Sequence, residues 1–338
     1  MFKYIINYCL LVVIIVGCQQ EELTSHNDSL TPLFEFSNEV FLVNAMHMTK
    51  GVDDRIYISD NHPSNVKVFS IDGSYLKTIS RRGGGPGELI SPMGLTSNDS
   101  LLIVEDSGNH RKVVFDSNGV FLKSFKNERI ALSLSMNETE IFTFSPTALF
   151  SVGDLDQESL ITVYNLNGDI SNEFGEYLMF NEKIPAGMSW PYLRAVGEYL
   201  HLSFRYYPLY RVYSQGGDLI GEFDLTEIIP DLINGYIDQN TDESSKNPSA
   251  PKVNLFSRAL DVHGQDIFLV RDTGYLTIDH LKYDNGEISF IDTYNYTIRD
   301  DEYAPLDMFF SYESNSFYVL EYYKGDVQVR VYNINDVD

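Results

Sequence analysis

The chain has 338 residues, with 49 Asp and Glu against 24 Lys and Arg, giving a formal net charge of −25. Such acidity argues against nucleic acid and against direct contact with an anionic membrane surface, because like charges repel. Hydrophobic residues make up 43%, enough for a sizeable core, so this is not a disordered acidic polymer. The 23 Tyr and 21 Phe against a single Trp favour strands.

Residues 1–17 read as a secretory signal. Lys3 is the only charge, and an apolar run from Ile5 to Val16 is broken only by Asn7. The run is too short to span a bilayer as a mature helix. It ends Ile15, Val16, Gly17, Cys18, which resembles a bacterial lipobox. That resemblance implies cleavage before Cys18 and lipidation of Cys18. Cys9 then falls in the discarded peptide, so no thiol remains for a disulfide, a zinc site or a nucleophile. Acyl chains anchor at roughly 0.8 kcal/mol per buried methylene, so three would hold the protein in a membrane. Residues 18–31 form the lipidated Cys and a polar tether. No Asp follows Cys18, where it would resemble an inner-membrane retention signal. Glu21 and Glu22 resemble the surface-export signal of Bacteroidota lipoproteins. The expected address is the outer membrane, lipid-anchored, facing periplasm or cell surface.

Residues 33–43 alternate as a strand does and have no partner nearby. A repeat follows. Residues 55–79 and 101–125 each hold an apolar run ending in Asp, a short polar loop, a strand, a Gly turn and a second strand. Asp60 and Asp106 are 46 residues apart, and so are Gly73 and Gly119. Asp72-Gly73 and Asn118-Gly119 predict two-residue hairpins with both central positions at positive φ. Weaker copies place Gly168 49 residues after Gly119, Gly217 49 further, and Gly286 69 further, the excess matching a polar insertion over residues 238–252. A last copy, residues 317–334, lacks its outer strand.

Six units of about four strands each, with no helical pattern, predict an all-β six-bladed β-propeller over residues 32–338. Residues 33–43 are predicted to supply the fourth strand of the last blade, pairing near residues 327–332 and closing the ring. A β-sandwich or a solenoid is the alternative, but a solenoid needs capping segments and none is evident.

The link over residues 81–94 carries Gly83, Gly84, Gly85, Pro86, Gly87, Glu88 and Pro92. Its glycines allow a sharp return from an outer strand to the axis, and Glu88 is placed to accept from loop amides. This link resembles the blade connectors of NHL-repeat propellers of the TolB-like six-bladed superfamily, found in many Bacteroidota lipoproteins. The resemblance is close over residues 54–125 and loose beyond. One Trp excludes Trp-Asp-repeat and Trp-rich quinoprotein propellers, and no kelch pattern or sialidase Asp-box appears. Residues 57–60 echo the YWTD propellers once only.

In such a propeller the loops joining second and third strands share a face with the blade connectors, and a binding site is expected there. Three chemistries fit that face. A central Ca²⁺, which the resemblance to lactonase-type propellers implies, needs about six oxygens, with Asp60, Asn61, Asp106 and Asp272 as contributors. A zinc site of the peptide-amidating lyase type would use His62 and His110, which occupy equivalent loops, but no third ligand is evident. Passive recognition would use Trp190, Tyr206 and Tyr207 as stacking surfaces, with Arg81, Arg82 and Arg111 as a basic hot spot. Each Asp ends a strand where it can equally bind loop amides, and a lone Trp beside Pro191 can equally be a packed plug. There is no Gly-x-Ser-x-Gly elbow, phosphate loop or dinucleotide fingerprint. The sequence therefore predicts a lipid-anchored binding or scaffolding module for a glycan, peptide or envelope partner, with no cofactor and no nucleic acid. A metal-dependent lactonase- or lyase-type enzyme with Ca²⁺ or Zn²⁺ at the axial mouth is the alternative.

Overall fold

A computed structural model describes residues 34–35, 40–126, 129–145, 159–178, 189–230, 255–273, 275–296 and 303–334. The signal segment, Cys18, the tether and the 238–252 insertion lie outside the described residues. Strand β1 (Phe34–Glu35) precedes six sheets. Blade one is β2 (Ala45–Lys50), β3 (Arg55–Asp60), β4 (Asn65–Ser70) and β5 (Tyr75–Ile79). Blade two is β6 (Pro92–Ser97), β7 (Leu101–Asp106), β8 (Arg111–Asp116) and β9 (Phe121–Lys126). Blade three is β10 (Ser133–Met136), β11 (Glu140–Phe144), β12 (Ile161–Asn165) and β13 (Ile170–Phe174). Blade four is β14 (Pro191–Val196), β15 (Tyr199–Phe204), β16 (Leu209–Ser214) and β17 (Leu219–Asp224). Blade five is β18 (Ser257–His263), β19 (Asp266–Asp272), β20 (Leu276–Asp284) and β21 (Glu287–Tyr296). Blade six is β22 (Tyr303–Ser311), β23 (Ser316–Tyr323), β24 (Asp326–Asn333) and β1.

The closure is the one the sequence predicts. Phe34 pairs with Val331 and Glu35 with Arg330, and Leu42 bridges to Val327. Every sheet is antiparallel. The first strands contact their neighbours around a complete ring, β2 to β6, β10, β14, β18, β22 and back to β2.

The apolar core is divided among the blade junctions. One cluster joins blades one and two through Tyr57, Val66, Leu102 and Phe115. Others join two to three, three to four, four to five, five to six, and six to one. Second and third strands are buried almost throughout, because neighbouring blades cover both faces. Fourth strands alternate or stay exposed, because only one side meets protein.

The hairpins differ from expectation. Gly73 N–H donates to Ser70 and Ser70 N–H to the Ser74 carbonyl, and the same pair of bonds recurs at Asp116, Asn165 and Ser214. These are three-residue loops in which glycine alone takes positive φ, a type I turn with a bulge. Among the hairpins joining third and fourth strands, only that of blade five, with Asn285 at φ 52 and Gly286 at φ 87, has the two-residue form. Glycine is needed for a second reason. A Cβ on Gly119 would lie 2.5 Å from Ile79, and one on Gly168 2.4 Å from Phe125, each on the preceding blade.

Candidate functional site

The inner strands leave a channel along the axis, and its wider end is a cavity of about 400 Å³, within the usual range for ligand pockets. All six blades line it. His47, Thr49 and Lys50 come from β2, Ser97 from β6, Ser133 and Ser135 from β10, Arg194 from β14, Asp261 from β18 and Asp307 from β22. Asn98 and Asp99, in the turn after β6, mark the rim. This mouth therefore opens on the face of the turns joining first and second strands, opposite the face expected from sequence.

The polar lining has a backbone cause. The innermost edge of each sheet has no partner strand, so its amides need acceptors. Side chains of the preceding blade supply them. Ser133 and Ser135 hydroxyls accept from Leu193 and Ala195 N–H at 3.1 and 2.9 Å. Asp261 accepts from Phe310 N–H at 2.8 Å, and Asp307 from Met48 N–H at 3.0 Å. The two carboxylates also hold Arg194 between them, Nε 3.6 Å from Asp261 and Nη2 3.4 Å from Asp307. His47 Nδ1 lies 3.2 Å from Asp307. Burial acts to raise the Asp307 carboxyl, but the His47 hydrogen bond and the Arg194 charge outweigh it, and its pKa is lowered. At Asp261 burial prevails over Arg194, and the pKa is raised. Arg194 occupies the place between these carboxylates that a metal cation would need. Among the described residues no three His, Cys, Asp or Glu side chains group as metal ligands.

The opposite end is narrower, a cavity of about 140 Å³ on the connector face. His47 and Tyr192 line both cavities and mark the waist. The narrowing has a sequence cause: bulky residues at or near the start of five inner strands, Met46, Met93, Leu132, Trp190 and Leu306, crowd this end. Trp190 packs on Phe144 with ring centres 6.5 Å apart. Arg205 Cζ lies 4.7 Å from the Trp190 ring centre and 5.9 Å from that of Tyr206. Arg258, on the same mouth, is paired to Asp272 at 2.7 Å. Burial pushes the Tyr192 hydroxyl up to about 12, so it is a neutral donor at ordinary pH.

The other residues singled out from sequence fall as follows. Asp60 is fully buried and accepts from Val43, Asn44 and His62 N–H while pairing with Lys67 at 2.5 Å. Asp106 does the equivalent work in blade two, accepting from Ile90 and Ser91 N–H and from the Asn109 amide, with Arg111 at 3.4 Å. Asn61 accepts from the Ser91 hydroxyl at 2.8 Å. His62 and His110 are exposed on their loops. Arg81 is paired with Glu88, whose other oxygen accepts from Gly85 N–H at 2.8 Å, and Arg82 is exposed. Arg111 donates to the Gly85 and Glu88 carbonyls at 2.9 and 2.7 Å. Tyr207 is buried in the junction between blades three and four, with Tyr206 packed against it. Of the sequence candidates, only Trp190 lines the axis. The residues that do converge there, His47, Arg194, Arg205, Arg258, Asp261 and Asp307, carry no local motif. A polar residue inside a predicted first strand was the available signal.

No helix among the described residues is long and apolar enough to cross a membrane. Among curated proteins, none matches the sequence. Solved structures do. A Bacteroides fragilis protein described as exported aligns with TM-score 0.55 at 14% identity, over 90% of this chain and 93% of that one. A DUF4221 family member from Bacteroides vulgatus aligns with TM-score 0.55 at 11% identity, over 90% and 98%. A catalytically inactive virginiamycin B lyase from Staphylococcus aureus, solved with quinupristin, aligns with TM-score 0.52 at 13% identity, over 89% and 99%. At these identities the likeness is one of fold. Residues 37–214 match the family DUF5128, described as a 6-bladed beta-propeller. Six closed four-stranded blades and this match lead to one conclusion: the chain belongs to the DUF5128 family of six-bladed β-propellers.

Proposed function

We propose that this protein is a lipid-anchored envelope module that binds a small polar segment of a glycan or peptide in the wide axial cavity. The observation that carries the reading is Arg194, which bridges Asp261 and Asp307. The axial carboxylates are thereby both tied to a cation of the protein itself, and the cavity offers hydroxyls, amides and paired charges suited to hydrogen-bonded recognition. The lipid anchor at Cys18 rests on the lipobox-like sequence. Export is supported by the Bacteroides fragilis protein of similar fold. The anchor would attach at the rim, since β1 is the outermost strand of blade six.

Binding to glycan and peptide arrays tests the site. A Ser97→Phe variant narrows the wide mouth, and Arg81→Ala, remote from the axis, serves as control. Binding is expected to fall at least tenfold in Ser97→Phe and to persist in Arg81→Ala. Unchanged binding in Ser97→Phe, or a stoichiometric Ca²⁺ or Zn²⁺ in protein purified without chelator, overturns the reading. Cys18→Ala is expected to move the protein from the membrane fraction to the soluble one.

A further inference from the structure

We infer that the narrow, connector-face mouth is a separate site for a small carboxylate with a compact apolar body, held by Arg205. The inference does not depend on the ligand of the wide cavity.

Arg205 lies in the turn between β15 and β16, and its backbone is pinned from two directions. Its N–H donates to the Trp190 carbonyl at 2.7 Å, and its carbonyl accepts from Phe256 N–H at 2.7 Å and Ser257 N–H at 3.2 Å. The side chain is thus delivered to a fixed place, half-buried over the Trp190 ring. Among the described arginines, every one except Arg82 and Arg205 has a carboxylate within 4.0 Å. Arg82 is exposed, whereas Arg205 Nε is buried with no acceptor among the described residues, as is the neighbouring Trp190 Nε1. In a chain with 49 acids, a half-buried guanidinium whose Nε meets no acceptor among the described residues stands out.

The surroundings define what would complete it. Among the described residues no Asp or Glu lines this mouth. A second cation, Arg258, does, and Tyr192 offers a neutral hydroxyl. The other walls are mainly apolar, Met46, Met93, Leu132 and Leu306 among them, with His47 at the waist. A guanidinium fork binds a carboxylate with two parallel N–H bonds. The volume of about 140 Å³ equals roughly five waters at about 30 Å³ each, which suits a body of a few carbons. Apolar walls beside a cation favour an aliphatic acid over a hydroxylated one of equal charge.

The test uses butyrate, with butyramide as the neutral isostere and glucuronate as the hydroxylated acid, by isothermal titration and chemical-shift perturbation. Butyrate is expected to bind more tightly than both, shifting the Trp190 indole resonance. Arg205→Met is expected to weaken butyrate at least tenfold without lowering the melting temperature, because it removes an unpaired charge. Arg82→Met and Ser97→Phe are expected to leave butyrate binding intact, which separates this site from the wide cavity. Equal binding of butyrate and butyramide, or retention in Arg205→Met, overturns the proposal. So does tighter binding of glucuronate, which would mark an acidic-sugar site. Should Arg205→Met fail to fold, Arg205→Lys decides: it keeps the charge and loses the fork, and undiminished butyrate affinity counts against the site.

Discussion

Asp60 offers the sharpest test of how the blades are fixed. Its carboxylate is fully buried, and its pairing partner Lys67 is 5% exposed. It also holds Val43 and Asn44 N–H at 3.1 and 2.9 Å, on the segment that leads from the closing strand into β2. Asp60→Ala therefore strands a buried ammonium and frees three amides at once, those of Val43, Asn44 and His62. Removing one partner of a buried ion pair costs about 3–5 kcal/mol, a large part of a typical total stability of about 5–15 kcal/mol. We expect a loss of about 4 kcal/mol by urea unfolding, with faster hydrogen exchange at Val43 and Asn44. The double variant Asp60→Ala/Lys67→Met should recover most of it, because the orphan charge is gone. Asp106→Ala should cost less, about 2 kcal/mol, because Arg111 keeps its bonds to the Gly85 and Glu88 carbonyls. The reasoning fails if Asp60→Ala costs under about 1 kcal/mol, or if Lys67→Met restores nothing.

Two further outcomes are expected. Glu321 is raised to about 7 by burial, against Arg330 at 3.0 Å and hydrogen bonds from Tyr332 and Gln328. Between its unfolded value of 4.5 and about 7 the native state holds a proton that the unfolded chain has released. Stability should therefore fall as pH rises through that window, by up to about 3 kcal/mol at about 1.4 kcal/mol per unit, and Glu321→Gln should flatten the profile. A wild-type slope of opposite sign relative to the variant would refute this assignment. Gly168→Ala, at φ +93 and facing Phe125, should cost about 3 kcal/mol. Gly197→Ala, at φ +59 with open space around it, should cost about 1 kcal/mol. Equal melting shifts for the two would show that the contact between blades contributes nothing.

The ring was readable because the first two blades repeat the same local demands, an Asp ending the second strand and a glycine in the last hairpin, 46 residues apart, and the hairpin glycine recurs through blade five. Even the closing strand was legible, since an alternating segment and an incomplete last unit each lacked a partner. The hairpin type was not, because Asp-Gly and Asn-Gly suit both a two-residue turn and a bulged loop. The axial residues were harder still. His47, Arg194, Asp261 and Asp307 sit on four different blades, and only ring closure brings them together. The basic cluster of Arg81 and Arg111 drew attention by composition, yet the glycine-rich connector occupies it. Arg205, one residue from the aromatic pair that stood out, passed unnoticed because a single cation carries no pattern.

The pairing of Phe34 with Val331 has a consequence for the order of events during biogenesis. A chain made from its N-terminus holds β1 idle until β24 has been synthesised, so the ring closes through one of its most non-local contacts. Such topologies fold slowly, since loop closure must precede the contacts that reward it. Under the export proposed above, that delay is useful: a late-closing propeller stays threadable during translocation. The same delay leaves β24 with a bare edge, and any partner able to add a strand there before β1 arrives would trap the protein open.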